Sequence, residues 1–99
     1  LDLFAGTGSI SIELVSRGCD RVISVEKDRD HHAFICKIMQ EVKTDKCIPI
    51  RGDVFKFIKG GREQFDFIFA DPPYELQGLE TIPNLIMERK ITSKIIRTL

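Results

Sequence analysis

The sequence predicts an α/β protein built on a doubly wound, mostly parallel sheet. Short apolar runs typical of buried strands alternate with stretches of helical periodicity, which is the pattern of consecutive βαβ units. A glycine-rich turn, Gly6-Thr7-Gly8, joins the first run to the first helix, and Asp71-Pro72-Pro73 ends the fourth run. With right-handed crossovers, these runs predict the strand order 3-2-1-4 and ligands bound at the carboxyl ends of the strands.

The composition is that of a single globular domain. The 99 residues are 42% hydrophobic and 30% charged, and 15 basic residues balance 15 acidic ones. The zero net charge therefore gives no overall footprint for nucleic acid. No apolar run approaches the roughly 20 residues that cross a bilayer, and no signal peptide is expected. Cys19, Cys36 and Cys47 form no Cys-x-x-Cys pattern, which predicts packing roles in a reducing cytoplasm.

The bounds of the elements follow from apolar spacing, helix caps and breakers. Pro49 lacks a backbone N–H, so it places the third strand at an edge of the sheet. Residues 90–99 fit either a helix or a strand, and we favour a helix. The predicted elements are a strand ending at Phe4, a helix over 9–17 closed by Gly18, a strand over 21–26, a helix from a cap at Asp28 or Asp30 to Val42, a strand over 47–51, a short helix capped by Asp53 that ends at Ile58, a strand over 65–70 and a helix with Pro83 in its first turn.

Three acidic residues lie at the ends of predicted strands, which is the usual position for cofactor-binding side chains. Glu26 ends the second strand about 20 residues past the glycine turn, where a carboxylate is placed to accept ribose hydroxyls. Asp2 and Asp53 end the first and third strands, although Asp53 can equally be a plain helix cap. The stretch from Gly6 to Ser11 lacks the third glycine of the dinucleotide fingerprint, so the turn alone is a weak signal.

Asp71-Pro72-Pro73-Tyr74 follows the buried run at residues 65–70 and is the most specific feature of the chain. The prolines end the strand abruptly because each fixes φ and lacks an N–H. Asp71 is held extended by the proline after it. An Asp-Pro pair alone can be a simple turn. Directly after a central strand, however, it sets a carboxylate, rigid carbonyls and a phenol ring at the ligand-binding edge.

These motifs together resemble those of the class I S-adenosylmethionine-dependent methyltransferases, which have a Rossmann-like core. More narrowly, Leu-Asp-Leu-Phe-Ala-Gly-Thr-Gly at residues 1–8, Val25-Glu26-Lys27, Arg51-Gly52-Asp53 and Phe69-Ala70-Asp71-Pro72-Pro73-Tyr74 resemble the bacterial 16S ribosomal RNA guanine-N2 methyltransferase family. The resemblance implies methyl transfer from S-adenosylmethionine to the N2 amine of a guanine. It implies 16S ribosomal RNA, or a small ribosomal subunit precursor, as the partner.

The resemblance also implies roles for individual residues, and no metal. Asp71 and the Pro72 carbonyl would accept hydrogen bonds from the target amine, and Tyr74 would stack on the base. Glu26, with Lys27 beside it, would bind the ribose hydroxyls, and Asp53 and Val54 would flank the adenine. The methionine end of the cofactor would be held by Asp2 and by the loop residues Phe4, Ala5, Gly6, Thr7, Gly8 and Ser9.

Family members carry a segment before the first strand and further strands after the fourth. Residues 1–99 are therefore expected to be one partial methyltransferase domain, and its open sheet edge predicts a possible homodimer. Two alternatives are an amino-methyltransferase acting on DNA adenine or protein glutamine, and a catalytically incomplete fragment of the fold. A dinucleotide oxidoreductase is the least favoured, because Ser11 stands where its third glycine belongs.

Overall fold

Strands and helices alternate along the part of the chain that the computed structural model describes, residues 1–61, 63–73, 75–89, 91 and 95–97. A short 3-10 turn over Leu79–Thr81 precedes the last of the helices. The elements are β1 (Asp2–Leu3), α1 (Ser9–Ser16), β2 (Val22–Glu26), α2 (Arg29–Glu41), β3 (Cys47–Arg51), α3 (Val54–Gly60), β4 (Ile68–Ala70), α4 (Ile82–Glu88) and β5 (Ile95–Arg97).

The described strands form one parallel sheet in the order β3-β2-β1-β4-β5. Leu3 pairs with Val25 on one side and with Ala70 on the other. The predicted order 3-2-1-4 is confirmed, and so is the edge position that Pro49 indicates for β3. The short β1 therefore lies between β2 and β4.

The prediction of a helix over residues 90–99 is wrong where the structure describes that stretch. Ile95–Arg97 is a strand that pairs parallel with β4, with Ile68 opposite Ile95. β4 consequently does not have the open edge that the predicted strand order 3-2-1-4 would leave on it. The possible homodimer through an exposed sheet edge stays a prediction, which the molar mass in solution tests.

Helices cover both faces of the sheet, as a doubly wound fold requires. Alternate residues of β2 point to opposite faces, because side chains alternate along a strand. One face packs on α1 and α2 around the buried residues Val22, Ile35, Met39 and Cys47. The other packs on α3 and α4 around a larger cluster of Leu1, Leu3, Ile23, Val25, Val54, Ile58, Ile68, Ala70, Ile82, Ile86 and Ile91.

Local signals at the helix ends agree with their predicted roles. The carboxylates of Asp28 and Asp53 accept hydrogen bonds from the backbone of His31 and Lys56, at 2.8 and 3.1 Å, and so cap α2 and α3. Gly18 has φ of 101° just past α1. Within the described ranges, no helix has the length and apolar character needed to cross a membrane.

Candidate active site

The loop between β1 and α1 has a strongly constrained backbone. Phe4, Gly6 and Gly8 all have positive φ, of 59°, 59° and 84°, and a bulky residue such as Phe4 rarely adopts this conformation. A Cβ on Gly8 would lie 2.9 Å from Ile35 Cγ1, whereas one on Gly6 would meet nothing within 4 Å. Gly8 is thus needed for packing, and Gly6 leaves open space above the backbone.

The Glu26 carboxylate, at the end of the neighbouring strand β2, holds this loop by a hydrogen bond. Its Oε1 accepts the backbone N–H of Gly6 at 2.7 Å, and its Oε2 accepts that of Asp28 at 2.8 Å. Each carboxylate oxygen keeps a second acceptor position, and the residue is half-buried. Glu26 therefore fixes the loop while retaining acceptor positions for a ligand.

Asp2 lies beneath the loop, with its side chain buried. It is 1% exposed, and its Oδ2 accepts a hydrogen bond from Ser11 Oγ at 2.7 Å. Burial raises the pKa of Asp2 to about 6, although the hydrogen bond from Ser11 and the ammonium group of Leu1 oppose this shift. Asp2 thus contacts the first turn of α1, and its predicted contact with a cofactor stays a prediction.

The end of β3 lies beside the end of β2. The backbone N–H of Gly52 donates to the Glu26 carbonyl at 3.0 Å, which draws the start of α3 towards the glycine loop. Asp53 is half-buried and Val54 is 5% exposed. Both therefore stand at the first turn of α3, on the same edge of the sheet as Glu26.

Asp71 and Pro72 leave the sheet next to the glycine loop. Leu3 and Ala70 are paired in register, so Phe4 and Asp71 are the first residues beyond two neighbouring strands. Asp71 is exposed and Pro72 is half-buried. The chain then turns back, with the Leu76 N–H donating to the Pro73 carbonyl at 3.1 Å. Tyr74, the predicted stacking residue, lies outside the described residues.

The structure thus gathers four strand ends at one rim, which brings the predicted loop residues close to Glu26, Asp53 and Asp71. Thr7, Ser9 and Lys27 are exposed there. Among the described residues, no group of three or more His, Cys, Asp or Glu side chains could hold a metal ion.

Two serines lie beneath this site although the sequence did not predict them as part of it. Ser11 and Ser24 are both fully buried and hydrogen-bond to each other. The available signal was that each serine stands between two isoleucine or valine neighbours in the sequence. Such a position indicates a buried partner, because an unpaired hydroxyl in a core is costly.

The order of the sheet and the loops at its rim define a Rossmann-like α/β domain of the methyltransferase class. The chain belongs to the family described as conserved hypothetical protein 95, whose model matches residues 1–96.

Curated relatives are similar over most of this chain. The ribosomal RNA small subunit methyltransferase D of Buchnera aphidicola subsp. Baizongia pistaciae is 32% identical over 87% of this chain and 44% of its own length. The protein of the same name from Haemophilus influenzae is 32% identical over 89% and 48%. The chain therefore spans about half the length of the curated relatives it matches.

Solved structures share the fold. The Escherichia coli protein yhhF, provisionally classed as a methyltransferase, superposes with a TM-score of 0.83 at 25% identity, over 89% of this chain and 50% of that one. SMU.776, also provisionally classed as a methyltransferase and solved with SAH, superposes with a TM-score of 0.79 at 23% identity, over 97% and 29%. At that identity, SMU.776 supports the fold alone.

Proposed function

We propose that the protein transfers a methyl group from S-adenosylmethionine to the exocyclic N2 amine of a guanine in 16S ribosomal RNA. The named relatives support a ribosomal RNA of the small subunit as the substrate. The partner is then free 16S RNA or a precursor of the small subunit, in the cytoplasm. Residues 1–99 would supply the cofactor site and the acceptors for the target amine.

One observation carries this proposal. The glycine loop follows β1 and the Asp71-Pro72 turn follows β4, and these two strands are direct neighbours paired in register. Neighbouring strands lie about 5 Å apart. A cofactor on the glycine loop and an amine at Asp71 would therefore lie side by side, as a direct transfer between them requires.

The rim fits an adenosyl cofactor without a phosphate. Glu26 offers acceptor positions for ribose hydroxyls, and the space above Gly6 is open to a ligand. Ser11 fills the position of the third glycine, and S-adenosylmethionine has no pyrophosphate that must approach the backbone closely there. Asp53 and Val54 are proposed to flank the adenine, with Lys27 beside the ribose and Asp2 below the methionine end.

The acceptors at Asp71 and Pro72 address the chemical difficulty of the reaction. S-adenosylmethionine, when bound, supplies a methyl group on a positively charged sulfur. An exocyclic amine is a poor nucleophile while its lone pair is delocalised into the base. The carboxylate of Asp71 and the carbonyl of Pro72 are proposed to accept its two N–H groups and orient the lone pair, and Tyr74 to stack on the flipped base.

Transfer of radiolabelled methyl groups tests the proposal against its alternatives. The protein is incubated with labelled S-adenosylmethionine and with 16S RNA, small ribosomal subunits, DNA or bulk protein. We expect label in the RNA, at guanine N2 after nucleoside analysis. Label confined to DNA adenine or to protein glutamine would replace the RNA assignment. Cofactor binding without transfer to any substrate would favour an incomplete fragment of the fold.

A further inference from the structure

A buried chain of polar side chains runs beneath the glycine loop. Ser11 Oγ donates to Asp2 Oδ2 at 2.7 Å and lies 2.5 Å from Ser24 Oγ, which in turn lies 3.2 Å from Cys47 Sγ. Asp2, Ser11 and Ser24 are each at most 1% exposed. Polar groups this deeply buried depend on their hydrogen bonds, because losing a partner leaves the other desolvated and unpaired.

These side chains have enough protons to form their hydrogen bonds whether Asp2 is ionised or protonated. When Asp2 is ionised, Ser11 donates to its carboxylate, Ser24 to Ser11, and the Cys47 thiol to Ser24, so each hydroxyl uses its one proton. When Asp2 is protonated, the same contacts reverse direction. The link from Asp2 to Ser24 is therefore complete in either state.

These hydrogen-bonded side chains join the elements that the glycine loop connects. Asp2 belongs to β1 and Ser24 to β2, and the two are paired in register. Ser11 is the third residue of α1, directly after the loop. A glycine at this point of a βαβ unit allows close helix–strand packing, and here the Ser11 hydroxyl provides a hydrogen bond instead. The loop is thus held by Glu26 at its outer side and by Asp2–Ser11 at its base.

We propose that Ser11 and Ser24 are positioning residues for the cofactor site. By holding the Asp2 carboxyl group they fix the first turn of α1 against the sheet, so that the loop keeps the shape in which Gly6 meets Glu26. Neither serine touches the cofactor in this role. The assignment of the loop to a cofactor rests on the proposed function, whereas the effect on the shape of the loop does not.

Hydrogen exchange of the loop amides in the ligand-free protein tests this directly. We expect Ser11→Ala to speed exchange at Gly6 and Gly8 by about tenfold, the scale for one lost buried hydrogen bond. The control is Ser16→Ala, which removes an exposed hydroxyl from the same helix and should leave the exchange rates unchanged.

Ser24→Ala keeps the Ser11–Asp2 bond, so a smaller acceleration is expected. This variant provides the test if Ser11→Ala does not fold. Unchanged exchange at both amides, or equal acceleration throughout the core, would overturn the proposal.

A second readout separates positioning from general support of the fold. Asp2 faces the ammonium group of Leu1 directly before β1, Glu26 on β2, Cys47 on β3 and Ser11 on α1. We expect the amide chemical shift of Gly8 to titrate with a midpoint of about 6 in the wild type and to lose this step in Asp2→Asn. In Ser11→Ala the midpoint should move to higher pH, because the hydrogen bond from Ser11 lowers the pKa of Asp2. A step that persists in Asp2→Asn, or a midpoint that does not move in Ser11→Ala, would contradict the proposal.

Binding of SAH then shows which of the two proposals fails, if one does. We expect Ser11→Ala to weaken SAH binding about tenfold, in line with the loss of one buried hydrogen bond, and Ser16→Ala to leave it unchanged. If the wild type does not bind SAH, the proposed function fails, while the exchange data still decide the role of the serines. If the wild type binds and Ser11→Ala binds equally well, the positioning role fails and the proposed function stands.

Discussion

Asp71 is an exposed carboxylate at the end of β4, so replacing it should disturb chemistry more than folding. We expect Asp71→Ala to abolish methyl transfer while leaving S-adenosylmethionine binding nearly intact, because the proposed partner of Asp71 is the target amine. Calorimetric titration with cofactor and a labelled-methyl assay on the same samples measure the two effects separately.

The matched control for this variant is Asp66→Ala, which removes an exposed carboxylate just before β4, at the opposite rim of the sheet. It should retain both activities. Equal losses of binding and transfer in Asp71→Ala would indicate that Asp71 supports the site structurally.

Glu26 differs from Asp71 because its carboxylate already has structural partners. Glutamine has one acceptor oxygen, so Glu26→Gln would turn an amide N–H₂ towards the backbone N–H of Gly6 or Asp28. We expect cofactor affinity to fall about 10- to 100-fold, from the lost hydrogen bonds and the displaced loop. Glu13→Gln on the exposed side of α1 is the control, and it should leave the dissociation constant unchanged. A similar cofactor affinity in both variants would show that Glu26 does not contribute to cofactor binding.

At the scale of single elements, the C-terminus of α2 offers a test of backbone strain. Lys43 has φ of 54°, and the N–H groups of Lys43 and Thr44 bond back to the carbonyls of Gln40 and Met39, both at 3.1 Å. This is the Schellman arrangement, in which glycine is the preferred residue.

Lys43→Gly should therefore raise the free energy of unfolding by about 1 kcal/mol, because glycine adopts this conformation without the steric cost of a Cβ. Lys37→Gly, inside the same helix, is the control. Its free energy of unfolding should fall by about 1 kcal/mol, because glycine is unfavourable in a helix interior. Urea unfolding followed by circular dichroism measures both changes. A loss of stability in Lys43→Gly would show that the lysine side chain contributes more than the strain costs.

Most elements were predictable because their signals are local. The spacing of apolar residues, the caps at Asp28 and Asp53 and the glycine after α1 depend on a few neighbouring residues, and the observed helix ends agree to within about two residues. β5 was missed because a run as short as Ile95–Arg97 has no decisive period, and its pairing with β4 involves residues far away in sequence.

The site could be predicted only in part, for the same reason. Motifs at strand ends indicated which loops meet at the rim, and the topology brings those loops together. The Asp2–Ser11–Ser24 contacts join three separate elements, so no pattern within one segment specifies them. Their partners become visible only when β1, β2 and α1 are packed together.

For the molecule as a whole, burial of Asp2 links stability to pH. Its pKa is about 6 in the folded protein against an ordinary 3.8, so the folded state holds the proton more tightly. Stability from this group is therefore fully present below about pH 4 and is lost as the pH rises to about 6. The difference of about two pKa units corresponds to about 3 kcal/mol.

Asp2→Asn isolates this effect, because asparagine has a similar size and stays neutral. We expect the variant and the wild type to differ little at pH 4, and the variant to be more stable at pH 7 by up to about 3 kcal/mol. Urea unfolding at both pH values gives the difference. A variant that is less stable than the wild type at pH 7 would mean that the Asp2 charge stabilises the fold. If Asp2 also serves the cofactor, the stabilised variant should bind S-adenosylmethionine more weakly.

The position of β1 in the middle of the sheet has a consequence for how the protein is made. β1 precedes both of its neighbours in the chain, and β4 follows it only after two strands, β2 and β3, and three helices, α1 to α3. At a synthesis rate of about 5–20 residues per second, roughly 3–14 s separate the emergence of β1 from that of β4. Throughout that interval one edge of β1 lacks its partner and can pair with other nascent chains. We therefore expect the yield of native protein to depend on the pace of translation between β1 and β4 and on chaperones that act on ribosome-bound chains.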